Sequence, residues 1–76
     1  MKIITLSDLS PGSKACVQAL YNDENMRRRL LDIGLTKDTV VECLGKSPCG
    51  DPAAYWIRGA VIALRREDAR HILVQI

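Results

Sequence analysis

Hydrophobic and polar positions alternate or cycle in short blocks along the chain, and each block predicts one element. From Ala15 to Leu20, Ala15, Val17 and Ala19 alternate with Cys16 and Gln18, the pattern of a half-buried strand. Met26, Leu30 and Ile33 follow at helical spacing. Asn22 and Asp23 supply capping oxygens ahead of them, and Gly34 stands where a left-handed C-cap belongs. Start, stripe and stop agree, so "NDENMRRRLLDIG" predicts one short amphipathic helix with Met26, Leu30 and Ile33 facing inward. Val41 and Cys43 alternate with Glu42 within a strand over Val40–Lys46. Ala54–Arg58 and Ala60–Leu64 predict a hairpin about Arg58-Gly59. "REDAR", Arg66 to Arg70, predicts one helical turn, and Ile72, Val74 and Ile76 mark a closing strand.

Turn chemistry punctuates these blocks. Pro11 presets φ and Gly12 permits positive φ before the first strand. Gly50 and Pro52 shape the bend "PCGDP", with Pro52 stiffening entry to the next strand, and Gly59 serves the hairpin. The fold class expected from the residues is all-β, a small barrel of about five strands with one helix and a helical turn. Closing the sheet would remove its sticky edges.

The 76 residues bound the rest. They make a single domain, 1–76, and a chain this short buries only about 60% of its unfolded surface. The core is aliphatic: 21 residues are Ile, Leu or Val, there is no Phe, and Trp56 is the one tryptophan. Such an interior packs well but does not readily enclose a ligand cavity of roughly 300 Å³, so an enzyme is not expected. Eleven basic against nine acidic residues give +2, short of the basic excess of nucleic-acid domains. No exposed aromatics interleave with the arginines for base stacking, so no nucleic-acid partner is expected. The longest smooth apolar stretch, Ala60 to Leu64, falls far below the ~20 residues of a membrane helix, so no direct membrane insertion is expected. Three cysteines, an odd number, argue against a secreted disulfide scaffold and for a reduced, cytoplasmic chain.

The stretch "CLGKSPCGDP" raises a metal clip or phosphate loop as candidates. Cys43 and Cys49 are separated by five residues, wider than the Cys-x(2–4)-Cys of structural zinc sites, and the one histidine is His71. Cys43 shares the inward face with Val41, whereas Cys49 lies beyond Pro48 in the bend. The remaining metal reading is a weak transition-metal site using Cys49 and Asp51. The lysine and following helix of a phosphate loop are missing. No metal or cofactor is expected, and the stretch reads as a shaped bend.

Four runs resemble, in order and over essentially the whole chain, the FeoA family of bacterial ferrous iron uptake. They are "PGSKACV" (Pro11 to Val17), "RRLLDIGLT" (Arg28 to Thr36), "PCGDP" (Pro48 to Pro52) and "ALRREDARHILV" (Ala63 to Val74). The resemblance implies an SH3-like β-barrel that works with the membrane transporter FeoB, whose cytosolic part carries a GTPase domain. It implies no catalytic residues. Two departures stand out. The family's usual Pro-Gly before the second strand is Lys37-Asp38 here, and Asp tolerates the left-handed region better than most residues. The family's common aliphatic residue at position 49 is Cys49 here.

A contact surface for such a partner draws on Arg27, Arg28 and Leu31 of the helix with Cys49, Asp51, Tyr55 and Trp56 of the bend and hairpin. Leu31 lies beside the inward stripe. Arginine and aromatic residues are enriched at interface centres. The plainer readings stand alongside: the arginines as a solvated face paired with Asp23, Glu24 and Asp32, and Trp56 as core. A competing function is the SH3-like C-terminal module of an iron-dependent repressor. Met1 opens this chain with no helix-turn-helix before the barrel, so that reading requires a fragment.

Overall fold

The computed structural model describes residues 1–76. Six strands and two helices follow in order: β1 (Ile3–Thr5), β2 (Lys14–Leu20), α1 (Glu24–Asp32), β3 (Val40–Lys46), β4 (Ala53–Ile57), β5 (Ala60–Leu64), α2 (Arg66–Ala69) and β6 (Ile72–Gln75). A 3-10 turn over Leu6–Asp8 links β1 to the loop before β2. All strand pairs are antiparallel, in the order β1-β6-β2-β3-β4-β5.

The expectation of about five strands misses β1. Three residues are too few to show alternation, and β1 is defined by its partner: Ile3, Ile4 and Thr5 pair with Gln75, Val74 and Leu73. Lys2 and Ile76 exchange backbone hydrogen bonds beside it at 3.3 and 2.9 Å, which brings the two chain ends together. Closure is also corrected. β1 and β5 are the two ends of the strand order and do not pair, so the curled sheet keeps two edges.

The core takes one face of each strand. Val17, Val41, Cys43, Tyr55, Ile57, Ile72 and Val74 are all buried, with Leu6, Leu9, Leu30 and Leu35 closing the ends. The alternation foreseen in β2 holds through Val17 and then slips. A register shift between Val17 and Ala19 makes Leu20, rather than Ala19, pack against the core.

Helix α1 starts where its cap predicts: Asp23 accepts a hydrogen bond from the Met26 N–H at 2.8 Å. It ends in a Schellman motif. The Gly34 N–H bonds Leu31 O at 3.0 Å and the Leu35 N–H bonds Leu30 O at 2.9 Å, with Gly34 at φ 94°. The inward stripe differs at its last position. Ile33 is already the C-cap and is exposed, while Leu35 turns back across Gly34 and is fully buried against the core. Helical spacing ceases to apply once the helix has stopped.

Gly12 and Gly50 adopt positive φ as their turns require, and so does Asp38 at 72° in the Lys37-Asp38 turn. Arg58 at φ 47° and Gly59 at 85° form the two-residue hairpin turn between β4 and β5. Pro52 enters β4 across a cis Asp51–Pro52 bond. No helix is long and apolar enough to cross a membrane.

Candidate partner-binding surface

β4 places neighbouring aromatic residues on opposite faces. Tyr55 is buried, 1% exposed, and its hydroxyl donates to Leu6 O at 3.4 Å. Burial pushes its phenol up to about 12, with further contributions from Cys43 and Asp51. Trp56 is 45% exposed on the outside. Tyr55, expected at the contact surface, therefore offers no surface to a partner, while for Trp56 it is the plainer core reading that falls and its place on the outside that remains. The signal was present in parity. Ile57 shares its side with Tyr55, and the charged Arg58 shares its side with Trp56.

Trp56 stands opposite Val61 of β5, which is 61% exposed, and lines one groove with Val40 of β3, which is 59% exposed. Leu44, at a register shift in β3, is exposed as well. Pattern reading missed Val40, although it shares its side with Glu42, and Val61, whose run Ala60–Leu64 is apolar on both faces.

The bend is committed to structure. Asp51 accepts the Arg66 N–H at 2.9 Å, which caps α2 where Arg65 offers no side-chain bond of its own. The Ser47 hydroxyl donates to Asp51 O at 2.8 Å, and Cys49 is an exposed free thiol. Cys43 is buried, as its parity requires, and Cys16 donates to Asp38 O at 3.4 Å. No three His, Cys, Asp or Glu side chains converge on a point that could hold a metal ion.

On α1, Arg27, Arg28 and Leu31 are exposed, Leu31 at 44%. Of the ion pairs expected for the arginines, only Arg28–Glu24 forms, at 3.4 Å between two exposed side chains. Met26, Arg29, Leu30 and Ile33, not the predicted trio, line a groove with Ile62, Ala63 and Leu64 of β5. No hydrogen bond or ion pair joins Arg27, Arg28 or Leu31 to Cys49, Asp51 or Trp56. The helix instead reaches the hairpin through Arg58. Its Nε donates to Gly34 O at 2.9 Å, and a terminal guanidinium nitrogen donates to Thr39 Oγ1 at 3.3 Å.

Comparison with known proteins now decides the family. The FeoA domain model matches residues 4–76. The chain belongs to the FeoA family. It is 35% identical, over 74 residues, to an Fe(2+) transport protein A/Fe(2+) transporter FeoB fusion protein of Porphyromonas gingivalis, covering 93% of this chain. The chain spans about 8% of that fusion protein's length. The solution structure of the Chlorobium tepidum FeoA protein superposes with a TM-score of 0.92 at 34% identity, covering 96% of this chain and 70% of that one. A Stenotrophomonas maltophilia FeoA crystallised with zinc, described as a prokaryotic SH3 domain protein, gives 0.80 at 30% identity, covering 95% and 89%. The barrel is therefore of the SH3-like class, as the residues and the resemblance led one to expect. A manganese-dependent transcriptional repressor shares the fold at a TM-score of 0.89 but only 22% identity, with 99% of this chain and 37% of that one covered.

Proposed function

We propose that this FeoA-type ferrous iron transport protein is a non-enzymatic accessory domain that binds the cytosolic part of a FeoB-type transporter and biases its conformation. The observation that carries this reading is the natural fusion in which a FeoA-like segment and the transporter share one chain. Covalent linkage of two modules is what a weak intramolecular association would exploit, since a tether raises effective concentration. The contact surface is the outer face of β3, β4 and β5 around Trp56, Val40 and Val61. The exposed Leu31 lies in the last turn of α1, whose end Arg58 ties to the hairpin through Gly34 O. A domain this small offers an interface near or below ~800 Å² per partner, consistent with transient binding. The partner shifts between states only if one state is bound more tightly than another.

Titrating the isotope-labelled protein with the transporter's cytosolic part, with and without guanine nucleotide, tests the proposal. Amide shifts are expected at Val40, Trp56 and Val61, and Leu31→Asp is expected to weaken binding without unfolding the chain. An unchanged spectrum at saturating partner concentration would reject it.

A further inference from the structure

Strand β5 is an open edge with a helix standing over it. The two-residue turn makes Ile57 and Ala60 a hydrogen-bonded pair, and alternation then makes Tyr55–Ile62 and Ala53–Leu64 bonded pairs as well. Val61 and Ala63 consequently turn their N–H and C=O groups away from β4. No other backbone or side-chain group of the chain takes up these four groups. Both residues are exposed. Over Ala60–Leu64 the strand holds no proline, no charge and no bulge, three devices that commonly blunt an edge. The opposite edge, β1, has only three residues.

The space beside this edge is a groove of about 470 Å³ between β5 and α1. Its apolar lining is Met26, Leu30, Ile33 and Ile62, and Arg29 and Arg65 stand on its margins. Neither arginine forms an ion pair, nor does Arg58 at the hairpin end. Glu67 and Asp68 border one end, where they lie in the first turn of α2, near the positive end of its dipole.

Resting on the proposed adaptor role, we infer that β5 is the docking edge for an extended, acid-flanked apolar segment of the partner protein, which adds as a seventh strand between β5 and α1. A row of four alternating backbone donors and acceptors is matched by a strand and not by a helix. The segment's inward side chains rest on Ile62, Met26, Leu30 and Ile33, and its terminal carboxylates meet Arg29 and Arg65. Charge decides against a second copy of this chain. Strand β5 carries no carboxylate over Ala60–Leu64 and is bounded by Arg58 at one end and Arg65 and Arg66 at the other, so a second copy offers Arg29 and Arg65 no acid-flanked strand and brings further arginines to the ends of the pair.

The probe is the peptide acetyl-Asp-Ile-Thr-Val-Thr-Val-Asp-amide, titrated into the labelled protein. Slowed hydrogen exchange is expected at the Val61 and Ala63 amides. Lysine in place of both aspartates should weaken binding about tenfold. N-methylation of the two threonines, whose amides face β5 in antiparallel pairing, should abolish binding. Unslowed exchange at Val61 and Ala63 with millimolar peptide, or equal affinity for the acidic and lysine forms, overturns the inference. Ala63→Pro removes an outward N–H without removing a β4 bond, and it should cost about tenfold against both the peptide and the transporter's cytosolic part. Arg29→Glu, on the exposed helix, should reverse the preference between the two peptides, which provides a readout independent of how well the proline variant folds. If the cytosolic part binds the Ala63→Pro and parent proteins equally, the edge assignment fails while the adaptor reading stands. If it binds neither, the adaptor reading fails and the peptide result alone decides the edge.

Discussion

Arg58 donates through Nε to the carbonyl oxygen of Gly34 at 2.9 Å, and this bond ties the β4–β5 turn to the end of α1. The same oxygen accepts the Thr39 hydroxyl at 3.1 Å and the Thr36 N–H at 3.0 Å, so three donors converge on the carbonyl just past the end of α1. A Cβ added at Gly34 would meet Arg58 Cδ at 2.5 Å, besides sitting at a φ that disfavours side chains. Gly34→Ala should therefore lower stability by about 2 kcal/mol or more. In a double-mutant cycle with Arg58→Ala, the two losses should sum to more than the loss in the pair, because removing the arginine relieves the clash but not the backbone strain. Urea denaturation of the four proteins measures this.

Adjacent positions on β4 should behave as opposites. Tyr55→Ala empties a buried site and should cost about 3–5 kcal/mol. Trp56→Ala removes a side chain that is 45% exposed, so it should leave the unfolding midpoint much closer to the parent's while weakening partner binding. Denaturation curves paired with a binding titration separate the two. A Trp56→Ala protein that binds as the parent does would remove the outer face from the contact.

How much of this could be read from the chain depends on the range of the interaction. Asp23, Gly34, Asp38 and Gly59 act on backbone within a few residues, and each takes the conformation its residue type favours. Strand β1 was invisible because its existence depends on residues 73–75, about seventy positions away. The role of Asp51 was hidden for the same reason: its acceptor capacity is used by a backbone N–H fifteen residues on. Trp56 is different. Its outward direction follows from the parity it shares with Arg58, which separates the surface reading from the core reading that tryptophan's size also allows. The groove beside β5 depends on where α1 comes to rest, which no local pattern specifies.

Asp51→Ala should destabilise the protein by about 1 kcal/mol through loss of the α2 cap. Affinity for the transporter's cytosolic part should be unchanged, since the carboxylate is turned to Arg66. Asp51→Asn, which keeps an acceptor oxygen, should recover most of the lost stability in the same thermal or urea experiment.

The raised pKa of Tyr55 sets an alkaline limit. Well below pH 10 the phenol is neutral in both folded and unfolded chains and stability does not depend on it. Between pH 10 and about 12 the unfolded chain releases its proton while the folded one retains it, so stability falls as pH rises. Tyr55→Phe should flatten that part of the profile relative to the parent. Near neutrality it should cost only about 1 kcal/mol or less, because the hydroxyl makes one long bond to Leu6 O. Urea midpoints from pH 8 to 11.5 for both proteins provide the comparison.

The paired bonds between Lys2 and Ile76 mean that polypeptide arriving at one end of the barrel and polypeptide departing from the other pass through almost the same point. Domains with neighbouring termini tolerate insertion into longer chains and circular permutation. Here that arrangement anchors the domain at a single spot, so flanking sequence on either side can hold it near a membrane transporter without stretching the sheet.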